Sequence, residues 1–184
     1  MSGKKLSILI CHIGSRAYEL SNLLAVLSPQ VMAMDDQAEI IINSEGPISV
    51  GSKRNKLVQS ASGDYVAFID DDDTISPDYI SKIFDAIKTQ PDCVGIEGVL
   101  RQGDQFDVLF RHSIEFAGWY TGPDAFYRTP NHLNPVRRSI ALKVKFPEKN
   151  FGEDHEYSNE LRKHLNTEVY IDGPIYYYNY KEKK

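Results

Sequence analysis

Apolar segments alternate with helix-like segments through the first half of this chain of 184 residues. Runs of apolar side chains predict strands at 6–11, 38–42, 65–69 and 93–99. Between them, helical spacing of apolar positions predicts helices at 16–27, 53–62 and 77–89. Ser52 and Ser76 precede the second and third of these helices and are predicted to cap them. Because strands that alternate with helices form a mostly parallel sheet covered on both faces, we expect a Rossmann-like α/β fold.

The second half of the chain has a different pattern. Residues 100–150 are rich in aromatic residues, glycine and proline, which predicts irregular loops and short antiparallel strands. A helix is predicted from 151 to about 164, followed by strands at 168–172 and 175–180 and a polar tail at 181–184. The total length suits one domain, which we expect to span residues 1–184.

The composition argues against two classes of partner. The formal net charge is -5 and no stripe of basic residues is visible, so no nucleic acid is expected as a partner. No apolar run approaches the ~20 residues of a membrane-spanning helix, so no transmembrane segment is expected. Cys11 and Cys93 each lie in an apolar run. We expect both to be free, buried thiols of a protein located in the cytoplasm.

Three polar clusters follow the predicted strands, at 12–16, 43–46 and 70–73. In parallel α/β sheets, ligands bind beyond the carboxyl ends of the strands. We therefore expect these three clusters to meet at one edge of the sheet and to form a binding site there.

The third cluster consists of four consecutive aspartates, Asp70 to Asp73, directly after a buried strand. Two carboxylates about 5 Å apart repel by roughly 3 kcal/mol at an effective dielectric of 20. A divalent cation such as Mn²⁺ or Mg²⁺ would offset this repulsion and could hold phosphate oxygens at the same time. Alternatively, some of these acids only favour the N-terminus of the following helix.

The spacing of the aspartates alone fits two classes of enzyme. Asp70 to Thr74 resembles the D-x-D-x-T motif of haloacid dehalogenase-like phosphatases, in which the first aspartate is the nucleophile and the second is the general acid. The same residues contain the h-D-x-D pattern of GT-A glycosyltransferases, which use nucleotide sugars. A third possibility is a protein that binds a nucleotide or a sugar without turnover.

The surrounding residues resemble glycosyltransferase family 2. The stretch GSKRN at 51–55 is similar to the G-x-x-x-A-R-N element of that family. The stretch SGDYVAFIDDDD at 62–73, followed by Pro77, is similar to its G-(D/E)-Y-(I/V)-x-F-L-D-x-D-D element. The resemblance implies a GT-A fold in which residues 1–99 bind the nucleotide sugar and residues 100–184 bind the acceptor.

The resemblance also implies roles on the donor side. Asp72 would bind Mn²⁺ or Mg²⁺ directly, while Asp70 would bind the ribose or a metal-bound water and is a second candidate metal ligand. The cation would hold the diphosphate of a nucleoside diphosphate sugar, with a UDP-sugar favoured. Glu45 could accept a hydrogen bond from the base. The remaining donor-binding candidates are His12, Lys53, Arg54 and Asp71.

A second acidic cluster, at 151–156, resembles the G-E-D-x-E element that opens a helix in several inverting GT-A transferases. The resemblance implies that Asp154 is the general base for an acceptor hydroxyl and that Glu153 holds the acceptor, which would be a glycan or another hydroxyl compound. His132 could complete the metal shell, and Trp119 and Arg137 could contact the acceptor. Transfer would proceed with inversion at the anomeric carbon.

Overall fold

The computed structural model describes residues 3–101 and 107–180. The strands within these residues are β1 (Leu6–Cys11), β2 (Ala38–Asn43), β3 (Tyr65–Phe68), β4 (Thr74–Ile75), β5 (Cys93–Arg101), β6 (Val108–His112), β7 (Tyr120–Thr121), β8 (Ala125–Arg128), β9 (Val136–Arg137) and β10 (Glu168–Asn179). The helices are α1 (Ala17–Met32), α2 (Val50–Ser60), α3 (Tyr79–Ala86), α4 (Arg138–Ala141) and α5 (Glu153–Arg162).

The strands form one sheet. Its order is β2-β1-β3-β9-β5-β6-β8-β7, with β10 beside β5 and β4 beside β10. The longest pairings, which join β1 to β2 and β5 to β10, are parallel, and so is the pairing of β1 with β3. The predicted, mostly parallel sheet is therefore confirmed.

Helices cover both faces of this sheet. Alternate residues of a strand point to opposite faces, so one strand can pack against helices on both sides. In β1, Ile8 and Ile10 pack in one core cluster with Leu23 of α1 and Ile83 of α3. Leu9, which lies between them in the sequence, packs in a second cluster with residues of α2 and α5. The two-sided packing expected from the alternation of strands and helices is thus present.

Helices α1 and α2 have different bounds from those predicted. α2 begins at Val50, because Ser49 and not Ser52 is its N-cap. The Ser49 hydroxyl accepts a hydrogen bond from the Ser52 backbone N–H at 3.2 Å. α1 continues beyond the predicted end at 27 and reaches Met32.

The helix predicted to begin at Pro77 begins at Tyr79 instead. Thr74 and Ile75 form β4, which pairs with β10. The next residue, Ser76, is also tied to β10, because its backbone N–H donates to the Ile175 carbonyl at 3.0 Å. Ser76 is therefore not the N-cap. A 3₁₀ turn at Ile87–Thr89 ends this segment where the sequence predicted.

The last part of the chain is more continuous than its sequence suggests. The two predicted final strands are one strand, β10, whose register with β5 shifts near Gly173. That glycine has a φ of +81°, which side-chain-bearing residues rarely adopt. β6 is antiparallel to β5 as expected, whereas β8 is parallel to β6. The predicted polar tail at 181–184 lies outside the described residues.

Within residues 3–101 and 107–180, no helix combines the length and the apolar character needed to cross a membrane. Cys11 and Cys93 are free, as the sequence predicted. Burial raises the pKa of Cys11 to about 12, and it also raises the pKa of Cys93. Both thiols are therefore uncharged at neutral pH.

Candidate active site

The loop after β1 and the aspartate run meet at the carboxyl edge of the sheet. Asp71 lies at the centre of this contact. Its carboxylate accepts a hydrogen bond from the Ile13 backbone N–H at 3.1 Å and lies 2.8 Å from His12 Nδ1. Arg16 donates to Asp71 and to Asp72, at 2.9 Å in each case. Direct hydrogen bonds thus join two of the three predicted polar clusters.

The third cluster, at 43–46, touches this edge through its backbone. The Asn43 carbonyl accepts a hydrogen bond from the His12 backbone N–H at 2.9 Å. Glu45, predicted to contact the base, is half exposed and binds the Lys56 ammonium at 2.7 Å. Lys53 is buried, and its ammonium donates to the His12 carbonyl at 2.8 Å. Lys53 therefore holds the loop after β1 with one of its three N–H donors, and its contact with a nucleotide stays a prediction.

The four aspartates do not share one environment. The Asp71 side chain is 1% exposed and Asp73 is 2% exposed, whereas the side chains of Asp70 and Asp72 are 27% and 14% exposed. The run forms a turn, closed by a hydrogen bond from the Asp73 backbone N–H to the Asp70 carbonyl at 3.1 Å. Because the chain turns here, the side chains point in different directions, and Asp70 and Asp72 are the accessible pair.

Asp73 links the aspartate run to β10. Its carboxylate accepts hydrogen bonds from the Tyr176 hydroxyl at 2.6 Å and from the Asn179 backbone N–H at 2.8 Å. The same hydroxyl accepts a hydrogen bond from the Asp70 backbone N–H at 3.1 Å. Burial, together with the charge of Asp70, raises the pKa of Asp73 well above its usual range. Asp73 thus fixes the turn that presents its neighbours.

Arg54 links the aspartate run to the second acidic cluster. Its guanidinium donates to Asp70 at 3.1 Å and to Glu153 at 2.8 Å. The guanidinium lies 5.7 Å from the ring centroid of Phe68 and 5.5 Å from that of Phe146, and only 4% of the side chain is exposed. The start of α5 is therefore held beside the carboxyl end of β3 by one buried cation.

His132 lies beside the carboxylate oxygen of Asp70 that Arg54 does not bind, with Nε2 3.5 Å from Oδ2. Its side chain is 6% exposed, and neither ring nitrogen has a hydrogen-bond partner within the described chain. Burial by itself raises the pKa of Asp70, but the charges of Arg54 and His132 more than offset this effect. The pKa of Asp70 lies well below its usual range, so this carboxylate is ionised at neutral pH.

The side chains around Asp70 and Asp72 fit a divalent cation. Carboxylate oxygens and imidazole nitrogens are ligands that first-row divalent metals accept, and His132 has buried nitrogens without a partner in the described chain. The described residues contain no ready-made cage of three such ligands. Mg²⁺ is usually held by one or two carboxylates together with substrate phosphates, so a complete protein cage is not required.

Glu153 and Asp154 both open α5, but their environments differ. Glu153 is 5% exposed, and one of its carboxylate oxygens is paired with Arg54, so its predicted contact with an acceptor stays a prediction. Asp154 is partly exposed, and one of its oxygens accepts a hydrogen bond from the His155 backbone N–H at 2.8 Å. The accessible carboxylate of this pair is therefore Asp154.

Asp70 and Arg54 line a cleft of about 420 Å³. His132, Asp154 and Trp119 are among the residues that line it. The Trp119 indole N–H donates to the Thr129 hydroxyl at 3.2 Å and to the Ser158 hydroxyl at 3.1 Å, which fixes the orientation of the ring. Two of the predicted donor-side residues, Arg54 and Asp70, thus line one cleft together with Asp154 and Trp119.

Arg137 lies at the opposite edge of the sheet. It pairs with Tyr65, the first residue of β3, whereas the cleft lies beyond the last residue of that strand. Its guanidinium donates to the carbonyls of Gln90 and Pro91, next to a second cavity of about 730 Å³. Because β9 runs antiparallel to β3, it carries Arg137 away from the cleft, and the predicted contact of Arg137 with the acceptor stays a prediction.

Three residues of the site are not marked by the sequence. Tyr176 and Asn179 bind Asp73 from β10, but a strand rich in tyrosine is most simply predicted as a packing element. Arg128 lines the cleft from β8, within the half of the chain that has weak periodicity. The polar Asn179 within an aromatic strand is the one signal that could have drawn attention to β10.

Comparisons with known proteins give information on the family and the fold of this chain. A family model described as glycosyl transferase family 2 matches residues 20–150. A comparison with curated proteins gives no match.

The chain is also similar in structure to TarS from S. aureus. The structure of TarS 1-349 in complex with UDP-GlcNAc has a TM-score of 0.70 and 16% sequence identity, covering 98% of this chain and 60% of that chain. The structure of TarS 1-349 has a TM-score of 0.67 and 18% identity, covering 95% of this chain and 60% of that chain. This chain thus spans less than two thirds of these TarS structures. At such identity the likeness shows the fold, which is the predicted GT-A fold.

Proposed function

The chain belongs to glycosyl transferase family 2, and on that premise we propose that it transfers a sugar from a nucleoside diphosphate sugar to an acceptor hydroxyl. The observation that carries this proposal is the double contact of Arg54 with Asp70 and Glu153. Asp70, a donor-side candidate, and Asp154, the candidate base, both line the cleft beside this contact. Both partners of a transfer reaction can meet there.

The proposed donor is a UDP-sugar. This choice is supported by TarS, which shares the fold of this chain. One TarS structure is described as a complex with UDP-GlcNAc. Residues 1–99 would bind the nucleotide, with Asp70 near the ribose, and residues 100–184 would bind the acceptor. The proposed location is the cytoplasm, since Cys11 and Cys93 are unpaired and thiols stay reduced in that compartment.

The proposed cofactor is Mn²⁺ or Mg²⁺. Asp72 and Asp70 would supply carboxylate oxygens, and His132 would supply an imidazole nitrogen. When bound, a divalent cation would neutralise charge on the diphosphate leaving group. Arg54 would keep Asp70 ionised and correctly placed, because it holds the second oxygen of that carboxylate.

Asp154 is the proposed general base. It would accept the proton of the acceptor hydroxyl while that oxygen bonds to the anomeric carbon and the bond from this carbon to the diphosphate breaks. Attack from the face opposite the diphosphate would invert the configuration. Glu153 would act as a positioning residue, because it binds Arg54 and thereby orients the first turn of α5.

A phosphatase that uses Asp70 as a nucleophile is not favoured. The family match covers residues 20–150, which include the aspartate run, and it is a match to transferases. Arg54 also holds one oxygen of Asp70 in a buried ion pair, which reduces the freedom of this carboxylate to attack phosphorus.

Calorimetric titration with UDP-GlcNAc, and with GDP- and dTDP-sugars, would test the proposal in the presence and absence of Mn²⁺. We expect metal-dependent binding of at least one of these donors, followed by release of the nucleoside diphosphate when an acceptor is added. The Asp72→Asn variant should bind the donor more weakly in Mn²⁺ and equally in its absence. Failure of every donor to bind would refute the proposal. Binding without transfer to any acceptor would favour a nucleotide-binding protein without turnover.

A further inference from the structure

Arg128, the last residue of β8, lines the cleft, and no counter-ion from the described residues is in contact with it. Its guanidinium forms no hydrogen bond or ion pair with residues 3–101 or 107–180. Burial lowers the pKa of Arg128 below its ordinary value, which shows that the charge is partly removed from water. Because a desolvated cation without a partner is costly, the Arg128 guanidinium is suited to bind an anion in the cleft.

None of the described groups around Arg128 places a negative charge in contact with its guanidinium. Its guanidinium carbon lies 4.4 Å from the ring centroid of Trp119, in a cation–π arrangement. His112, its register partner in β6, is uncharged, since burial and the charge of Arg128 lower the pKa of His112 to about 3. Asp154 is the carboxylate whose charge favours the cation, and it is also the proposed base.

The hydrogen bonds of Asn134 show which ring nitrogen of His112 carries the proton. Asn134 donates its side-chain N–H to the Val94 carbonyl at 2.9 Å, and its side-chain oxygen accepts from the Asn131 backbone N–H at 3.0 Å. His112 Nδ1 lies 3.1 Å from that oxygen and must therefore carry the proton. His112 Nε2 is then a bare acceptor, buried and without a partner in the described chain.

We propose that Arg128 binds an anionic group of the acceptor, a phosphate, carboxylate or sulfate, while Trp119 packs against the rest of the molecule. This inference rests on the proposed function, because it assigns the cleft beside Asp154 to the acceptor. A guanidinium can bind such a group through two parallel hydrogen bonds, which fixes orientation as well as charge. The acceptor is thus an anionic hydroxyl compound, and its hydroxyl is oriented toward Asp154 by its own charge.

The position of Arg128 distinguishes this role from donor binding. The donor-side aspartates follow β3, whereas β8 lies beyond β5 and β6 in the sheet. The donor-side guanidinium, that of Arg54, already has two carboxylate partners. If Arg128 instead bound the donor diphosphate, loss of its charge would weaken nucleotide binding, and this difference can be measured.

Trp119 is the single tryptophan of the chain, so its fluorescence reports on this subsite. The full chain would be saturated with UDP and titrated with sn-glycerol 3-phosphate, glucuronate and glucose 6-sulfate, with glycerol and glucose as uncharged controls. We expect a saturable change with at least one anion and none with the uncharged compounds. In Arg128→Gln the dissociation constant for that anion should rise by at least about tenfold. Arg128→Lys, which keeps the charge, should retain part of the affinity.

The melting temperature of each variant, and its calorimetric affinity for UDP, are the controls. Both should equal those of the unsubstituted chain. A fall in UDP affinity in Arg128→Gln would assign the residue to the donor and overturn the inference. Equal responses to anionic and uncharged compounds, no response to any of the three anions, or an unchanged anion affinity in Arg128→Gln would also overturn it. If UDP itself fails to bind, the proposed function fails separately, and the same anion titration without UDP still tests Arg128.

Discussion

The acids of the aspartate run and of the second acidic cluster form two groups. Members of the two groups are adjacent in the sequence, but their environments differ. Asp70, Asp72 and Asp154 are partly exposed, whereas Asp71, Asp73 and Glu153 are buried. Each buried acid is satisfied by groups of the protein itself: the loop after β1 binds Asp71, β10 binds Asp73, and Arg54 binds Glu153.

This difference shows that neighbouring acids can have different roles. Some stabilise the fold, and others are accessible for function. A buried carboxylate is stable only if it is paired, hydrogen-bonded or protonated, so its partners become part of the fold. These partners fix the backbone that presents the accessible acids. Substitution of a buried acid should therefore lower stability, and substitution of an accessible acid should change function.

The largest effect is expected for Asp154→Asn. Without a base for the acceptor hydroxyl, transfer should fall by about 10²- to 10⁴-fold. Donor affinity and the free energy of unfolding should change little, because Asp154 is partly exposed and forms no buried ion pair with the described residues. Steady-state kinetics with calorimetry would check this, and a variant with normal transfer would remove Asp154 from the mechanism.

Glu153→Gln should have the opposite profile to Asp154→Asn. It removes one of two carboxylates from the buried guanidinium of Arg54, while the other, Asp70, remains. Breaking a buried pair costs about 3–5 kcal/mol, and the remaining partner should reduce this to about 2–3 kcal/mol. Urea denaturation would measure the loss. Equal stability of the Glu153 and Asp154 variants would contradict the distinction between the two acids.

A smaller contrast is expected between Asp71→Asn and Asp72→Asn. Asp71 accepts from the Ile13 backbone and from Arg16, and loss of its charge should cost about 1–3 kcal/mol of stability. Asp72 shares the half-exposed Arg16, a type of pair that contributes at most about 1 kcal/mol. Denaturation of both variants under the same conditions provides the comparison. A larger loss of stability in Asp72→Asn would reverse the assignment.

The smallest effect is a dependence on pH, with opposite signs for Asp73 and Asp70. The folded-state pKa of Asp73 is raised, so its contribution to stability is complete below about pH 3.9, the pKa of a free aspartate, and is lost as pH rises through the folded value. The pKa of Asp70 is lowered, so its contribution is present above about pH 3.9 and is lost as pH falls toward the folded value.

Asp73→Asn mimics the protonated carboxyl, so its loss of stability relative to the unsubstituted chain should shrink as pH rises. The slope should be at most about 1.4 kcal/mol per pH unit. Denaturation between pH 4.5 and roughly 7.5 would record it, with Asp70→Asn as the control whose deficit should stay constant over this range, because the contribution of Asp70 is lost only below about pH 3.9. Parallel pH profiles for all three proteins would show that the two aspartates do not differ in this way.

Much of the fold could be predicted from the sequence because its signals are local. The four apolar runs are strands β1, β2, β3 and β5, since each is short, apolar and bounded by polar residues. Errors occurred where a tertiary contact competed with a local signal. Ser76 has the chemistry of an N-cap, but pairing of β4 with β10 delays the helix to Tyr79. Ser49 and Ser52 are both chemically suited to cap α2, and only the backbone decides between them.

The sequence by itself determined that a polar edge follows a parallel sheet, and that aspartates and a second acidic cluster are present. Only the tertiary structure decided which of these acids are accessible, because burial depends on partners distant in the chain, such as Tyr176 for Asp73 and Arg54 for Glu153. It also moved Arg137 to the far edge and brought Arg128 into the cleft. A strand's direction decides at which edge its residues lie, and that direction is set by pairing between strands, which no local pattern contains.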